Sequence, residues 1–311
     1  MKLSAVLGQA MAVEAFGRAL ATRDHGAGWL LYGPPGTGKR TAAMAFAASL
    51  NCQSPDLEGH ACGGCRTCTD LERGLLHEVR VVEPDPESGG RDRSFKLAVL
   101  HALATWASRV TPAGRVKVGL VEDAHLMSRE AANAFLKILE EPPPRTVFLL
   151  LAPSRTAVLP TVRSRCRPVR FTLLSRTAVE WILRLQGHPE AEEAAALTLG
   201  RLDTPLEEIQ AAVASAEGYL GLARQRDLMG LSAAAQALGR KDGLPELVKL
   251  LDGLERVLAE RLRLHPEDAD RWIAALDAVG QARWRYRGSL TKVLVDGLGA
   301  DLSRILQPAG A

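Results

Sequence analysis

Apolar runs and segments of helical periodicity alternate along the first 172 residues of the chain. Short buried-type runs predict strands at residues 29–32, 77–82, 116–121, 147–151 and 168–171. Apolar residues at helical spacing predict helices at residues 41–50, 95–110 and 128–139. The last of these helices has Ser128 as its expected N-cap and a run of three prolines after it. The alternation predicts an α/β fold, a parallel sheet with helices on both faces.

The pattern changes after residue 175. Alanine- and leucine-rich stretches of helical spacing follow one another, with breaks at residues 187–189, 200 and 204–205, and no convincing strand pattern recurs. We therefore expect three domains along the chain. They are an α/β domain at residues 1–172, a small helical domain at 173–213 and an all-α domain at 214–311.

Composition and charge narrow the class of protein. The chain has 311 residues, of which 47% are hydrophobic and 24% charged, as in a folded globular protein. A formal net charge of +3 permits contact with nucleic acid but does not indicate it. Apolar runs such as residues 147–152 are far too short to cross a membrane. The first 20 residues form an amphipathic pattern, unlike a signal peptide, so we expect a cytoplasmic protein with no membrane partner.

A glycine-rich loop joins the first predicted strand to the first predicted helix. Its seven residues are Gly33, Pro34, Pro35, Gly36, Thr37, Gly38 and Lys39. In this context the backbone N–H groups and the helix N-terminus cradle a polyphosphate, and the lysine reaches the β- and γ-phosphates. The alternative is a Gly/Pro-rich turn with an exposed lysine. The position between strand and helix favours the phosphate loop.

The residue after this loop departs from the pattern. A Ser or Thr is expected there, because its hydroxyl binds the magnesium ion that bridges the nucleotide phosphates. The chain has Arg40, which is positively charged and offers no acceptor. We therefore expect ATP or ADP to bind weakly or not at all, through Lys39 and the loop amides, with magnesium present only if a nucleotide is bound.

Two carboxylates follow the predicted strand at residues 116–121. In a nucleotide hydrolase, one would bind magnesium and the other would orient the attacking water. The usual order is Asp and then Glu, whereas this chain has Glu122 and then Asp123. The inversion predicts poor in-line geometry, because a misplacement of about 1 Å can cost about a hundredfold in rate. The alternative is a pair of carboxylates that only faces solvent.

A cluster of cysteines follows the helix after the loop. Its members are Cys52, Cys62, Cys65 and Cys68. Four thiolates in a cytoplasmic protein predict a closed, tetrahedral, structural zinc site at residues 52–68. Disulfides are the alternative, and His60 is a further donor that four cysteines make unnecessary.

Arginines accumulate in the last part of the α/β domain. Seven arginines and no acidic residue lie between Pro142 and Val179. A solvated basic face accounts for most of them. One can instead act as an arginine finger on a nucleotide held by a neighbouring subunit, an effect worth about a thousandfold or more in rate. The residue pattern does not choose among the seven.

The loop, the cysteine insertion and two further segments resemble the bacterial clamp-loader subunits of the AAA+ class. The further segments are residues 131–143, AANAFLKILEEPP, and residues 159–166, LPTVRSRC. The resemblance covers about the first 170 residues, and the remainder is similar only in helical character and length. It implies an AAA+ domain with a zinc knob, a helical lid, and a helical collar that holds a ring of subunits together.

Two kinds of subunit in this family share the zinc module and the Ser-Arg-Cys motif. The motor subunits, gamma and tau, have intact ATPase motifs, whereas the delta-prime kind often has degraded ones and serves as a rigid stator. Arg40 and the inverted Glu122–Asp123 pair match the delta-prime kind. An active gamma/tau-type ATPase is the first alternative. A zinc-containing DNA-binding module with a vestigial ATP fold is the second.

The resemblance also assigns roles and partners. Within Ser164-Arg165-Cys166 it makes Arg165 the finger that acts in trans, with Ser164 and Cys166 as the flanking residues of the motif. It implies gamma/tau and delta as neighbours in a hetero-oligomeric ring, together with the sliding clamp and, through the complex, primed DNA. The helix from Ser128 to Glu141 would lie near the surface that meets DNA. We expect little or no ATPase activity from the isolated chain.

Overall fold

The structure, a computed structural model, describes residues 2–85, 95–238, 244–285 and 291–307. The chain forms two compact units. The first unit comprises residues 1–178 together with 200–203, and the second comprises residues 179–199 and 204–311. The finer division into three domains, with a boundary at residue 213, stays a prediction.

A five-stranded parallel sheet forms the centre of the first unit. Its strands are β1 (Gly28–Tyr32), β2 (Val79–Val82), β3 (Lys117–Val121), β4 (Thr146–Ala152) and β5 (Arg167–Arg170). They are arranged in the order β2-β3-β4-β1-β5, so β1 lies between β4 and β5. All five predicted strands are confirmed, and their ends shift by at most two residues.

The helices of the first unit lie between these strands in the sequence. They are α1 (Ala10–Thr22), α2 (Lys39–Asn51), α3 (Arg66–Glu72), α4 (Leu97–Ser108), α5 (Arg129–Glu140) and α6 (Pro160–Arg163). The predicted N-cap of α5 is confirmed, because the Ser128 side chain accepts a hydrogen bond from the Ala131 N–H at 3.2 Å. α5 ends just before the three prolines, which lack the N–H that a helix needs.

Both faces of the sheet are buried, as the sequence pattern of a parallel sheet requires. Successive side chains of a strand point to opposite faces. In β4, Val147, Leu149 and Leu151 therefore pack into one hydrophobic core. Phe148 and Leu150 pack into the other. The carboxyl ends of the parallel strands meet at one edge, where the glycine loop and Glu122 follow β1 and β3.

The second unit is helical throughout its described residues. Beginning at the end of the first unit, the helices are α7 (Arg176–Leu185), α8 (Ala191–Leu197), α9 (Leu206–Gln225), α10 (Leu228–Leu238), α11 (Leu244–Leu264), α12 (Ala269–Arg285) and α13 (Thr291–Ile305). Leu250 and Leu254 of α11, Ala216 of α9 and Val295 of α13 share one buried core. No helix in the part of the chain that the structure describes is long and apolar enough to cross a membrane.

Candidate functional site

The glycine loop runs from the end of β1 to the start of α2 and depends on backbone conformations that glycine adopts readily. Gly33, Gly36 and Gly38 all have positive φ, at 150°, 70° and 86°. A Cβ atom on Gly33 would lie 2.2 Å from the carbonyl oxygen of Phe171, so no larger residue fits there without displacing backbone. The loop is therefore packed tightly against the segment that follows β5.

Gln9 fixes the loop from outside the phosphate-loop motif. Its side-chain Nε2 donates hydrogen bonds to the carbonyl oxygens of Thr37 at 3.1 Å and Thr172 at 2.7 Å. Its Oε1 accepts from the Thr172 N–H at 3.2 Å. Gln9 is only 3% exposed, so water does not compete for these bonds. One buried amide thus joins the glycine loop to the chain after β5.

The Lys39 side chain folds back over the loop that it follows. Its Nζ donates hydrogen bonds to the carbonyl oxygens of Gly33 at 2.7 Å and Pro34 at 2.6 Å. Burial lowers the pKa of Lys39 to about 8, although the carboxylates of Asp123 and Asp203 act in the opposite direction. The ammonium group therefore lies within the cradle, beside the positions expected for phosphates.

A short segment of the first unit covers the outer side of the loop. The Leu202 N–H donates a hydrogen bond to the Gly36 carbonyl oxygen at 2.9 Å. A Cβ atom on Gly36 would lie 2.7 Å from Oδ1 of Asp203, which itself pairs with Arg201 at 2.7 Å. Both charges of this pair are thus held close to the loop.

Arg40 lies in the first turn of α2 and pairs with carboxylates from two strand ends. Its Nη1 contacts a carboxylate oxygen of Glu122, which follows β3, and lies 3.1 Å from a carboxylate oxygen of Glu83, which follows β2. The Glu122 side chain is 21% exposed, and its burial raises the pKa of this carboxyl, while Arg40 acts to lower it. Asp123 has φ of 47°, in the left-handed region, and its Oδ1 lies 4.0 Å from Nδ1 of His125. Glu122 and Asp123 therefore point to different partners.

Magnesium does not fit this arrangement. The fold implies a magnesium ion held by the hydroxyl after the lysine and by a carboxylate after β3. The first ligand is replaced by a guanidinium, which has no lone pair to offer a metal. The carboxylate of Glu122 is engaged by that same guanidinium. Both protein contacts of the expected ion are therefore taken by Arg40.

The four cysteines predicted to bind metal converge on one point. Their Sγ atoms all lie within 4.8 Å of one another, and the measured pairs are 3.9 Å for Cys52–Cys65, 3.5 Å for Cys65–Cys68 and 3.8 Å for Cys68–Cys52. Zn–S bonds of about 2.3 Å place tetrahedral sulfurs about 3.8 Å apart. All four are free thiols, so the disulfide alternative is not formed in this structure. The cluster can hold a metal such as zinc.

Backbone groups around the cysteines favour their thiolate forms. The Cys62 N–H donates to Sγ of Cys52 and the Cys65 N–H to Sγ of Cys62, each at 3.3 Å. Burial disfavours the Cys65 thiolate, but hydrogen bonds from the Gln53 and Cys68 backbone and from neighbouring thiols lower the pKa of Cys65 to about 6. At Cys52 and Cys68 burial outweighs such hydrogen bonds and raises the pKa of the thiol. Such N–H donors orient and stabilise sulfur ligands of metals.

The cysteine module is tied to the sheet and to α2. Arg115 donates to the carbonyl oxygen of Asn51 at 3.0 Å and to Oγ1 of Thr67 at 2.7 Å. The Ala61 N–H donates to Oγ of Ser49 in α2 at 3.1 Å. These contacts lie on the side of α2 away from the phosphate loop, which is at the helix's other end. The module is positioned to brace the domain.

The Ser-Arg-Cys motif directly follows α6. Cys166 is buried against the core, and burial raises its pKa to about 12, so its thiol is inert. Ser164 donates to the Thr161 carbonyl oxygen at 3.0 Å. Arg165 points outward, donates to the same carbonyl oxygen at 2.8 Å and contacts the carboxylate of Glu140. The motif anchors a turn and presents one arginine.

The predicted site residues fall into three groups. The loop, Arg40, Glu122 and Asp123 come together at the carboxyl edge of the sheet, whereas the cysteines and Arg165 belong to separate places in the same unit. Gln9, Glu83 and the segment at residues 200–203 were not predicted. Their sequence neighbourhoods carry no motif, and only the folded chain brings them to the loop.

The parallel sheet, the glycine loop after β1 and the carboxylates after β3 define a phosphate-loop protein of the α/β class. The family model described as "DNA polymerase III, delta subunit" matches residues 8–175, more than half of the chain. The chain belongs to that family.

Curated relatives and solved structures of this group resemble the chain. The DNA polymerase III subunit delta' of Pseudomonas aeruginosa is 37% identical over 185 residues, which cover 59% of this chain and 54% of that protein. The subunit gamma of Buchnera aphidicola is 31% identical over 193 residues, 61% of this chain and 51% of that protein. The chain thus spans about half the length of these relatives. A crystal structure of a gamma subunit-related protein from Thermotoga maritima aligns with 94% of this chain and 98% of its own, with 17% identity and a TM-score of 0.44.

Proposed function

We propose that the chain is the delta-prime-type stator of a DNA polymerase III clamp loader, which helps ATP-driven loading of the sliding clamp onto primed DNA. The observation that carries the proposal is the contrast between two arginines. Arg40 pairs with Glu122 within the chain's own nucleotide loop, while Arg165 is presented outward by a turn that Cys166 anchors. A chain with this pair of features is suited to assist a neighbour's site better than to use its own.

Arg165 is the proposed finger. An arginine placed in trans stabilises the charge that develops on the transferred phosphoryl group. Among the described residues, its guanidinium contacts carbonyl, hydroxyl and carboxylate oxygens at the protein surface, and about a third of the Arg165 side chain is exposed. The family relationship supports gamma/tau and delta as the neighbours in a hetero-oligomeric ring.

The isolated chain is proposed to hydrolyse ATP slowly if at all. Glu122 would have to leave Arg40 to bind a metal, and Asp123 has a side chain one methylene shorter than the glutamate expected to orient water. The cradle of N–H groups and Lys39 remain, so weak binding of ATP or ADP is retained in this proposal.

Zinc is the proposed metal of the cysteine cluster. Four sulfurs leave no open coordination position, so the ion would have a structural role. The contacts of Arg115 with Asn51 and Thr67 support this, because they connect the module to α2 rather than to the phosphate loop.

Assembly and turnover test the proposed function. The full chain is mixed with the motor and delta subunits, the complex is isolated by size exclusion, and ATP hydrolysis is measured for the complex and for the chain alone. We expect a stable complex that hydrolyses ATP and an isolated chain at background. Robust turnover by the isolated chain would instead favour a gamma/tau-type ATPase, which the complete glycine loop with Lys39 also allows.

A further inference from the structure

We infer that Arg40 occupies the place of the divalent metal and closes it to magnesium, so that the glycine loop binds a nucleoside polyphosphate weakly and without the ion. The inference deepens the proposed function and rests on it only for the identity of the ligand, a nucleotide. The geometry of Arg40 and its two carboxylates stands independently.

The position of Arg40 in the sequence and its position in space agree. The residue directly follows Lys39, where the metal-binding hydroxyl is expected. Its guanidinium reaches the strand ends of β2 and β3 and bridges Glu83 and Glu122. A hard divalent cation binds such oxygens. The Arg40 side chain thus places a positive charge where a metal ion would bind. It also replaces the Ser or Thr hydroxyl that would be a ligand of that ion.

The guanidinium of Arg40 occupies the carboxylates that a second cation would need. The single positive charge of Arg40 cancels one of the two negative charges of the glutamates, so the attraction of this place for a further cation is reduced. A hydrated magnesium ion would have to displace a guanidinium that already donates hydrogen bonds to both carboxylates. Magnesium gives up water reluctantly and demands octahedral geometry, so carboxylates already paired with a guanidinium are poor ligands for it.

The same charges predict weak affinity for the nucleotide. The positive charge of Arg40 is already balanced by the glutamates, so phosphates meet Lys39 and the loop N–H groups as their main partners. The bound species is therefore free ATP or ADP and not its magnesium complex. Arg40 is accordingly not a phosphate ligand but a replacement for the ion.

Replacing Arg40 should recreate the metal site. In Arg40→Thr the hydroxyl returns, and Glu83 and Glu122 lose their counterion. The side chains of Arg40 and Glu83 are 54% and 56% exposed, so the substitution creates no cavity. The matched control is Arg18→Thr, since Arg18 is also exposed and pairs with a carboxylate, Glu14, at 3.6 Å.

The test uses the full, metal-replete chain and two probes, Mn²⁺ alone and a fluorescent ADP derivative. Mn²⁺ binding is followed by electron paramagnetic resonance. ADP binding is compared with and without magnesium in buffer free of chelators, which would strip the cysteine cluster. We expect no Mn²⁺ bound at this site in the wild type and in Arg18→Thr, and one Mn²⁺ per chain in Arg40→Thr. ADP affinity should be indifferent to magnesium in the wild type and should rise with magnesium in Arg40→Thr. We expect a rise of about 10–100-fold, the range by which changes around a metal site typically alter metal affinity.

Two results would overturn the inference. One is wild-type binding of Mn²⁺ that Glu122→Gln abolishes; the other is an Arg40→Thr chain that is folded by circular dichroism and gains no Mn²⁺. Failure of the wild type to bind ADP, with or without magnesium, would also overturn the inference. Failure of the chain to assemble with the motor and delta subunits would contradict the proposed function but would not change the Mn²⁺ measurements. The failure of the proposed function and the failure of the inference about Arg40 are therefore distinguishable.

Discussion

The side-chain amide of Gln9 donates to the carbonyl oxygen of Thr37, joining the start of α1 to the phosphate loop across 28 residues of sequence. The same side chain exchanges two hydrogen bonds with Thr172, which follows the last strand of the sheet. Three parts of the first unit therefore meet at one buried amide. The loop is held in its cradle shape by this contact as well as by its own glycines.

Gln9→Ala should destabilise the first unit and loosen the loop. The substitution leaves the Thr37 carbonyl and the Thr172 backbone groups without a partner, at a cost of about 1–3 kcal/mol for a buried polar group. The free energy of unfolding measured in urea tests this. Gln210→Ala, on the exposed face of α9, is the control and should change it by less than about 0.5 kcal/mol. Equal changes in the free energy of unfolding for Gln9→Ala and Gln210→Ala would show that the buried hydrogen bonds of Gln9 do not stabilise the fold.

Lys39 should make stability depend on pH above neutrality. Its pKa is about 8 in the folded chain, against an ordinary value of 10.5. Between these values the unfolded chain binds more protons, so the free energy of unfolding should rise as the pH increases from about 8 to about 10.5. Below pH 8 the fold carries the full cost of the buried charge.

Lys39→Met should therefore be more stable than the wild type near pH 7 and lack this rise. Lys137→Met, an exposed position on α5, is the control and should keep the wild-type slope. Urea unfolding from pH 7 to pH 10 measures both. Parallel curves for the wild type and Lys39→Met would contradict the lowered pKa.

The cysteine cluster should bind one zinc ion per chain and stabilise the first unit. Cys65→Ser removes one of four sulfurs, and we expect loss of the ion and of about 3 kcal/mol or more in the free energy of unfolding. Cys166→Ala is the control, since Cys166 lies in a separate core and should leave the zinc content unchanged. Metal analysis with a thiol titration checks this. A metal-free wild type with two disulfides would refute it.

Much of this fold could be predicted from the sequence because its signals are local. The glycine loop, the four cysteines and the Ser128 N-cap can each be recognised from a short stretch of sequence. The five strands are recognisable as apolar runs. The partners of the loop could not be predicted in this way. Gln9 and Thr172 are 163 residues apart, and Glu83 lies 43 residues from Arg40. Such pairs exist only once the sheet order brings separate strand ends to one edge.

The role of Arg40 was predicted in part. The sequence alone shows that Arg40 cannot bind a metal ion, since a guanidinium has no acceptor. That it pairs with Glu122, the residue expected to hold the metal, depends on the adjacency of α2 and the end of β3. The two departures from the ATPase pattern, read separately in the sequence, are one ion pair in the structure.

Arg165 should matter little for the stability of the chain itself. It is exposed and its partner Glu140 is about half exposed, and surface ion pairs of this kind contribute about 0–1 kcal/mol. We expect Arg165→Ala to change the free energy of unfolding by less than about 1 kcal/mol. A larger loss would mean that the arginine is retained for folding, and any effect on activity would then need another explanation.

The role of Arg165 as an arginine finger is tested most directly by the ATPase rate of a clamp loader reconstituted with the Arg165→Ala chain. The complex should assemble as with the wild type, and hydrolysis at the neighbouring site should fall by about a thousandfold or more, the effect of an arginine finger. Arg155→Ala, another exposed arginine of the same basic segment, should leave the rate unchanged. Arg165→Lys should not restore the rate, because an ammonium lacks the planar fork of the guanidinium. An intact complex that hydrolyses ATP at the wild-type rate with Arg165→Ala would contradict the account.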